Sequence, residues 1–233
     1  MITSPHNEKL KLIRRLGRRR TREREGLFIT EGEDLLAAGR DAGAEPVELL
    51  TAAGEALGGT EVEPALLDQV SKLGSGTRAI GVWREVWADG PTTPCVYLHG
   101  VSDPGNVGTV VRTANALIGG SVVLGPGCAD PYGAHAVRAS MGAVFAEPLV
   151  RGGTEVTPKP RAALVAHGGE ALDALGVAAT LCLGAEREGL ADEVIEQCNV
   201  RVTIPVRESA ESLNVAAAAA IALHRIASES DHG

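Results

Sequence analysis

The sequence predicts an α/β protein built on a parallel sheet, with a small α/β unit ahead of it. Three observations carry this. Apolar runs at 96–98, 122–124, 162–166, 180–183 and 200–204 show no polar alternation, as expected of strands buried on both faces. Helical stretches separate most of these runs, the rhythm of parallel strands joined by crossovers. Gly90, Pro91 and Pro94 mark residues 86–94 as a linker between a unit at 1–85 and a unit at 95–233.

In the first unit, residues 5–25 read as a helix led by Ser4-Pro5, with Leu10, Leu12, Ile13 and Leu16 at its apolar positions and Gly26 as its stop. Leu27-Phe28-Ile29 is a short strand. Residues 31–42 form a helix ending near Gly43, residues 47–50 a strand, 63–73 a helix stopped at Gly74, and 78–83 a strand. In the second unit, Val96-Tyr97-Leu98 leads into a loop at 102–106, where Asn106 suits a helix N-cap, and a helix runs to about Leu117. Val122-Val123-Leu124 is a strand. Residues 131–142 hold a short helix and a Gly turn, and Val144-Phe145 is strand-like. After the last strand, a helix over 211–228 is rich in alanine and apolar on all faces. It must be buried, in the core or at a subunit contact. Ligands of such sheets bind at loops beyond the C-terminal strand ends.

At 233 residues with 44% hydrophobic content, the chain can bury a substantial core. Aromatics make up 3%, which argues against single-strand binding through base-stacking platforms. No apolar run approaches the ~18 residues of a membrane span, and the polar, basic N-terminus is no secretory signal. Cys95, Cys128, Cys182 and Cys198 are widely spaced; reduced thiols in a cytoplasmic protein are expected. His6, His99, His135, His167, His224 and His232 show no ligand spacing, so no metal is expected. The net charge of −8 conceals an asymmetry: residues 1–26 carry nine Lys or Arg against three acids, leaving −14 on the remainder. A basic segment on an acidic body fits a phosphate-binding element, and it equally fits a solvated arm.

Three strand-to-loop junctions stand out. In the first, Asp103-Pro104-Gly105-Asn106 opens a helix carrying Arg112 among Val110, Val111 and Ala114. A guanidinium there wants a phosphate or carboxylate, though a surface salt bridge would also satisfy it. In the second, Gly184 and Gly189 bracket Ala185-Glu186-Arg187-Glu188 after an apolar strand. They permit close backbone approach to a ligand, or make a plain turn. This is neither a G-x-G-x-x-G fingerprint nor a G-K-[ST] phosphate loop. In the third, Ser212 and Asn214 sit at the entry to the last helix, as helix caps or as groups gripping a ligand.

Taken in order, D-P-G-N-V-G-T-V-V-R-T-A, L-G-A-E-R-E-G-L, and I-P-V followed by E-S-L-N-V resemble the three motifs of the SpoU/TrmH-type RNA 2′-O-ribose methyltransferases of the SPOUT superfamily. R-A-S-M-G-A-V-F at 138–145 is similar to the region between the first two. The resemblance covers residues 95–227. L-F-I-T-E-G-E-D-L-L at 27–36 resembles the ribosomal-protein-like substrate domain that many members carry.

The resemblance implies a homodimer whose parallel sheet carries a deep C-terminal trefoil knot, a topology that periodicity cannot reveal. It implies S-adenosyl-L-methionine bound by Leu183, Gly184, Ala185, Gly189, Ile204 and Leu213. It places Arg112, Asn106, Glu186, Ser212 and Asn214 at the chemistry. The reaction is methyl transfer from a sulfonium to a ribose 2′-hydroxyl. Arg112 is either the base, a difficult role for a guanidinium, which holds its proton tightly, or the clamp on the adjacent RNA phosphate that stabilises the developing alkoxide. The basic helix, with Arg14, Arg15, Arg18, Arg19 and Arg20, would grip phosphates. A separate N-terminal domain favours ribosomal RNA over the alternatives, a tRNA 2′-O-methyltransferase or a non-catalytic RNA-binding member of the fold. The sequence departs from the family pattern at Glu208 and Ser209, in a turn where glycine is common, and at Ala216, where serine is common.

Overall fold

The amino-terminal segment folds as two short helices. In the computed structural model, which describes residues 1–72, 74, 76–176, 178–207 and 212–230, α1 (Glu8–Leu16) is capped by Asn7 and buries Leu10, Ile13 and Leu16. The single helix expected over 5–25 breaks at Gly17, and α2 (Arg19–Glu25) follows. Arg22 accounts for the break. Its Nη1 donates to Leu16 O at 2.8 Å, satisfying a carbonyl at the end of α1. Its Nε and Nη2 donate to Asp130 Oδ2 at 3.0 and 2.5 Å, across to the second unit. One long helix would not leave this side chain free to reach both.

β1 (Leu27–Glu31), α3 (Glu33–Asp41), β2 (Glu48–Ala52), β3 (Thr60–Val62), α4 (Pro64–Val70) and β4 (Ala79–Arg84) complete the first unit. The strand order is β1-β4-β2-β3; β4 is antiparallel to β1 and β2, and β3 is parallel to β2. β3 is too short to show a period in the sequence. Successive strand residues face opposite ways. Ile29, Leu50 and Ile80 pack with residues of α1 and α4. Phe28, Leu49 and Trp83 join the large core of the second unit.

That unit comprises β5 (Cys95–Leu98), α5 (Pro104–Leu117), β6 (Val122–Leu124), α6 (Ala134–Ser140), α7 (Ala143–Ala146), β7 (Leu149–Arg151), β8 (Arg161–Leu164), β9 (Thr180–Leu183), α8 (Asp192–Ile195), β10 (Val200–Val202) and α9 (Val215–Ser230). The sheet order is β10-β8-β9-β5-β6-β7, and every pairing is parallel. Val96, Leu98, Val122 and Leu181 point to the core formed with α5 and α9. Tyr97, Val123, Val150 and Cys182 point the other way, into a second core with Leu190 and Val194. Burial on both faces explains the unbroken apolar runs.

One expected strand is a helix. Val144 and Phe145 lie in α7, entered through Met141 at φ 49° and Gly142 at φ 93°. The Phe145 ring sits 4.8 Å from that of Trp83 and 5.5 Å from that of Phe28. Tertiary packing overrides the β preference of this pair. The four cysteines are free, and burial pushes the Cys95 and Cys128 thiols above their ordinary range. Among the described residues no helix is long and apolar enough to cross a membrane, and no group of three His, Cys, Asp or Glu could hold a metal ion.

Arg22 and Asp130 are 6% and 8% exposed. Asp130→Ala is therefore expected to cost about 3 kcal/mol or more, read as a lower denaturation midpoint, because Arg22 is left buried and unpaired. Arg22→Met combined with Asp130→Leu should recover most of that loss. An Asp130→Ala protein as stable as its parent contradicts the assignment.

Candidate active site

Helix α5 begins with Asp103-Pro104. Asp103 Oδ1 accepts from Asn106 N at 2.8 Å, and Pro104 occupies the first turn, where an N–H has no partner to lose. Asp103, and not Asn106 as expected, is therefore the cap. The Asn106 side chain is released for another task. Its Nδ2 donates to Glu186 Oε1 at 2.5 Å, and its Oδ1 accepts from Asn214 Nδ2 at 3.1 Å. Asn214 in turn caps α9, its Oδ1 accepting from Ala216 N at 2.9 Å and Ala217 N at 3.3 Å. Two hydrogen bonds thus tie the three junctions singled out in the sequence.

The loop after β9 closes on itself. Ala185 N donates to Gly189 O at 3.1 Å, and Gly189 N returns to Ala185 O at 2.9 Å. Gly189 adopts φ +71°. A Cβ on Gly184 would lie 2.1 Å from the Gly189 carbonyl carbon, so both glycines are steric requirements. Beside this loop lies a cavity of about 730 Å³, beyond the C-terminal ends of β8 and β9. Leu183, Gly184, Ala185, Gly189, Ile204 and Leu213, the residues named for the cofactor, all line it. Glu186 and Ser212 line it too, so Glu186 belongs both to the cavity and to the hydrogen-bonded group. Glu208 and Ser209 lie outside the described residues.

Arg112 stands apart. It is exposed on α5 between buried Val111 and Ala114, six residues and about 9 Å of helix beyond Asn106. No hydrogen bond or ion pair joins its guanidinium to any described residue. Within one chain, Asn106, Glu186 and Asn214 are brought together and Arg112 is not. On α9, which packs on α5, Ala217, Ile221 and His224 are exposed. The helix, expected to be buried in the core or at a subunit contact, keeps an open strip within one chain.

The five arginines proposed for RNA divide. Arg14 donates to Pro5 O at 2.8 Å, and Arg19 to Glu23 Oε1 at 2.9 Å and Cys128 O at 3.4 Å. Arg15, Arg18 and Arg20 are exposed, with no side-chain hydrogen bond or ion pair among the described residues. Arg22, part of the basic run by sequence, is buried in its ion pair. The Asp103-Pro104 cap was readable from its residue types; the Asn106–Glu186 bond, 80 residues apart, carries no local signal.

Residues 94–224 match the SpoU rRNA Methylase family, and residues 7–88 match the MRM3-like substrate binding domain. An uncharacterized tRNA/rRNA methyltransferase of Mycobacterium tuberculosis (strain ATCC 25618 / H37Rv) is 37% identical over 141 residues, covering 54% of this chain and 49% of that protein. The 23S rRNA (guanosine(2553)-2'-O)-methyltransferase RlmP of Bacillus subtilis (strain 168) is 34% identical over 143 residues, 56% of each chain. The chain spans about half the length of these curated relatives. The crystal structure of an AdoMet-bound rRNA methyltransferase from Sinorhizobium meliloti superposes with a TM-score of 0.85 at 28% identity, over 97% of this chain and 96% of that one. On its fold, and on a match that spans more than half of its length, the chain belongs to the SpoU rRNA methylase family.

Proposed function

We propose that this protein methylates a ribose 2′-hydroxyl of RNA, ribosomal RNA in particular, using S-adenosyl-L-methionine. The observation that carries the reading is the connection of the glycine-bounded cavity, through Glu186, to Asn106 and Asn214. The RlmP name and the AdoMet-bound relative support it.

The cavity suits that cofactor. Its apolar lining from Leu164, Leu183, Ile204 and Leu213 fits a flat ring, and the chain at Gly184 passes too close for any Cβ. Backbone amides and carbonyls are thereby left to read polar edges. Leu183, Gly184, Ala185, Gly189, Ile204 and Leu213 would hold the group, which supplies an electrophilic sulfonium methyl. The chain's part is alignment and charge control. Glu186, Asn106 and Asn214 form a preorganised polar cluster at the cavity rim, with Ser212 beside it. Arg112, without a partner among the described residues, is available to an RNA phosphate and to the alkoxide oxygen as the 2′-hydroxyl loses its proton. As a phosphate clamp it acts without giving up its own proton.

The passage from β10 through Ile204 to α9 is read as the last segment of the family's trefoil knot. The open strip of α9 is read as part of a homodimer contact beside α5. A cytoplasmic setting fits four unpaired cysteines.

Arg112→Ala should lower methyl transfer to RNA by about 100-fold or more, with affinity for S-adenosyl-L-methionine by calorimetry within about twofold of the parent. Parental turnover in this variant removes Arg112 from the chemistry. Light scattering at micromolar concentration should give twice the mass of the 24.0 kDa chain, and Ile221→Asp should give the monomer. A monomeric parent contradicts the dimer.

A further inference from the structure

The parallel sheet offers a second cleft on the same edge. Beyond the C-terminal ends of β6 and β7, a cavity of about 300 Å³ opens between the two units. Arg19, Trp87, Pro126, Cys128 and Arg151 are among its walls. β9, β5, β6 and β7 are successive neighbours in the sheet. At ~4.8 Å between strands, this cleft lies about 10–15 Å along the edge from the cavity at Gly184.

Its aromatic wall is fixed. Trp87 Nε1 donates to Glu85 Oε2 at 3.0 Å, and the ring meets Tyr132 edge-on at 5.2 Å. Tyr132 Oη donates to Val86 O at 2.6 Å and accepts from Val86 N at 3.1 Å. The Arg151 guanidinium stacks over Trp87, 3.9 Å from the ring centre. Arg19 is paired with Glu23 at 2.9 Å, and Arg151 is weakly satisfied. Arg151 has carboxylates no nearer than 3.8 Å (Glu85) and 4.0 Å (Glu23). Arg19 spends Nε on Glu23 and Nη1 on a long bond to Cys128 O, so Nη2 has no partner among the described residues. Glu85 is a poor counter-ion: its side chain is 4% exposed, its Oε1 has no hydrogen-bond partner, and burial pushes its carboxyl above the ordinary range. Exposed Arg15, Arg18 and Arg20 nearby in sequence add to the positive field.

We propose that this cleft is a second RNA subsite, in which Arg19 and Arg151 grip a backbone phosphodiester flanking the methylated ribose and the neighbouring nucleotide rests against Trp87. The proposal rests on the reading of the protein as an RNA-modifying enzyme. Two guanidiniums on one phosphate give charge-assisted, directional bonds, and the Trp87 ring, which carries Arg151 on one face, adds a single stacking contact, short of a platform, that tolerates any base. The subsite positions RNA and takes no part in bond making. Its offset along the sheet edge would fix which flanking nucleotide is held.

The chain has two tryptophans, Trp83 and Trp87, so the indole N–H signals of nitrogen-15-labelled protein test the idea. Titration with a single-stranded oligouridylate should shift the Trp87 signal and leave that of buried Trp83 in place. Arg19→Ala combined with Arg151→Ala should weaken oligouridylate binding about tenfold and flatten the plot of log K against log salt by about 0.7, the loss of one phosphate contact. It should raise KM for RNA and leave affinity for S-adenosyl-L-methionine unchanged, with the Trp83 signal reporting an intact fold. Binding by the parent with an unmoved Trp87 signal, or an unchanged salt slope in the double variant, overturns the subsite alone. A parent protein that binds no oligouridylate overturns both the subsite and the RNA reading.

Discussion

Asn106 donates to Glu186 and accepts from Asn214, and the arrangement of the site depends on these two bonds. They join the start of α5, the loop after β9 and the start of α9, segments with 80 and 108 residues between their bonded partners. Each side chain is free for this because its local backbone is satisfied elsewhere. Asp103 takes the capping duty at α5, and Asn214 caps α9 with the oxygen while its amide nitrogen reaches Asn106. Asn106 and Glu186 are half-buried and Asn214 is exposed, and a polar network of this kind is stable when every member is paired. Losing Asn106 would release two segments at once.

The parallel sheet supplies the second constraint. Because all six strands run the same way, every loop that follows a strand emerges on one edge. The cavity at Gly184, the Asp103 turn and the cleft at Trp87 are therefore neighbours without being close in sequence. The first unit is held to that edge by more than apolar contact. Phe28, Leu49 and Trp83 share the large core, and Arg22 crosses from α2 to Asp130. That one guanidinium ends α1, sets the direction of α2, and places Arg19 beside the loop after β6.

Much of this was legible in the sequence. The continuous apolar runs gave the central strands because burial on both faces leaves no room for polar alternation. The glycines at 184 and 189 were legible as close-approach positions, and the cavity is built around them. What escaped had physical reasons. β3 (Thr-Glu-Val) and β7 (Leu-Val-Arg) are three residues long and each includes a polar residue, so neither shows the wholly apolar run that marks β6. Val144 and Phe145 have strand-forming side chains, yet Phe145 is claimed by Trp83 and Phe28. Arg22 looks like its basic neighbours until the fold brings Asp130 to it. Arg112 reads as a site residue by motif, but a single chain leaves it outside the hydrogen-bonded group.

The central claim is that this edge of the sheet directs methyl transfer to a ribose oxygen. Its most direct test is nucleoside mass spectrometry of RNA from cells lacking the gene, after incubation with the purified protein and isotopically labelled S-adenosyl-L-methionine. The label should appear in a 2′-O-methylribonucleoside of ribosomal RNA. Label confined to a nucleobase, or RNA without label under conditions where the protein binds both partners, would contradict the account.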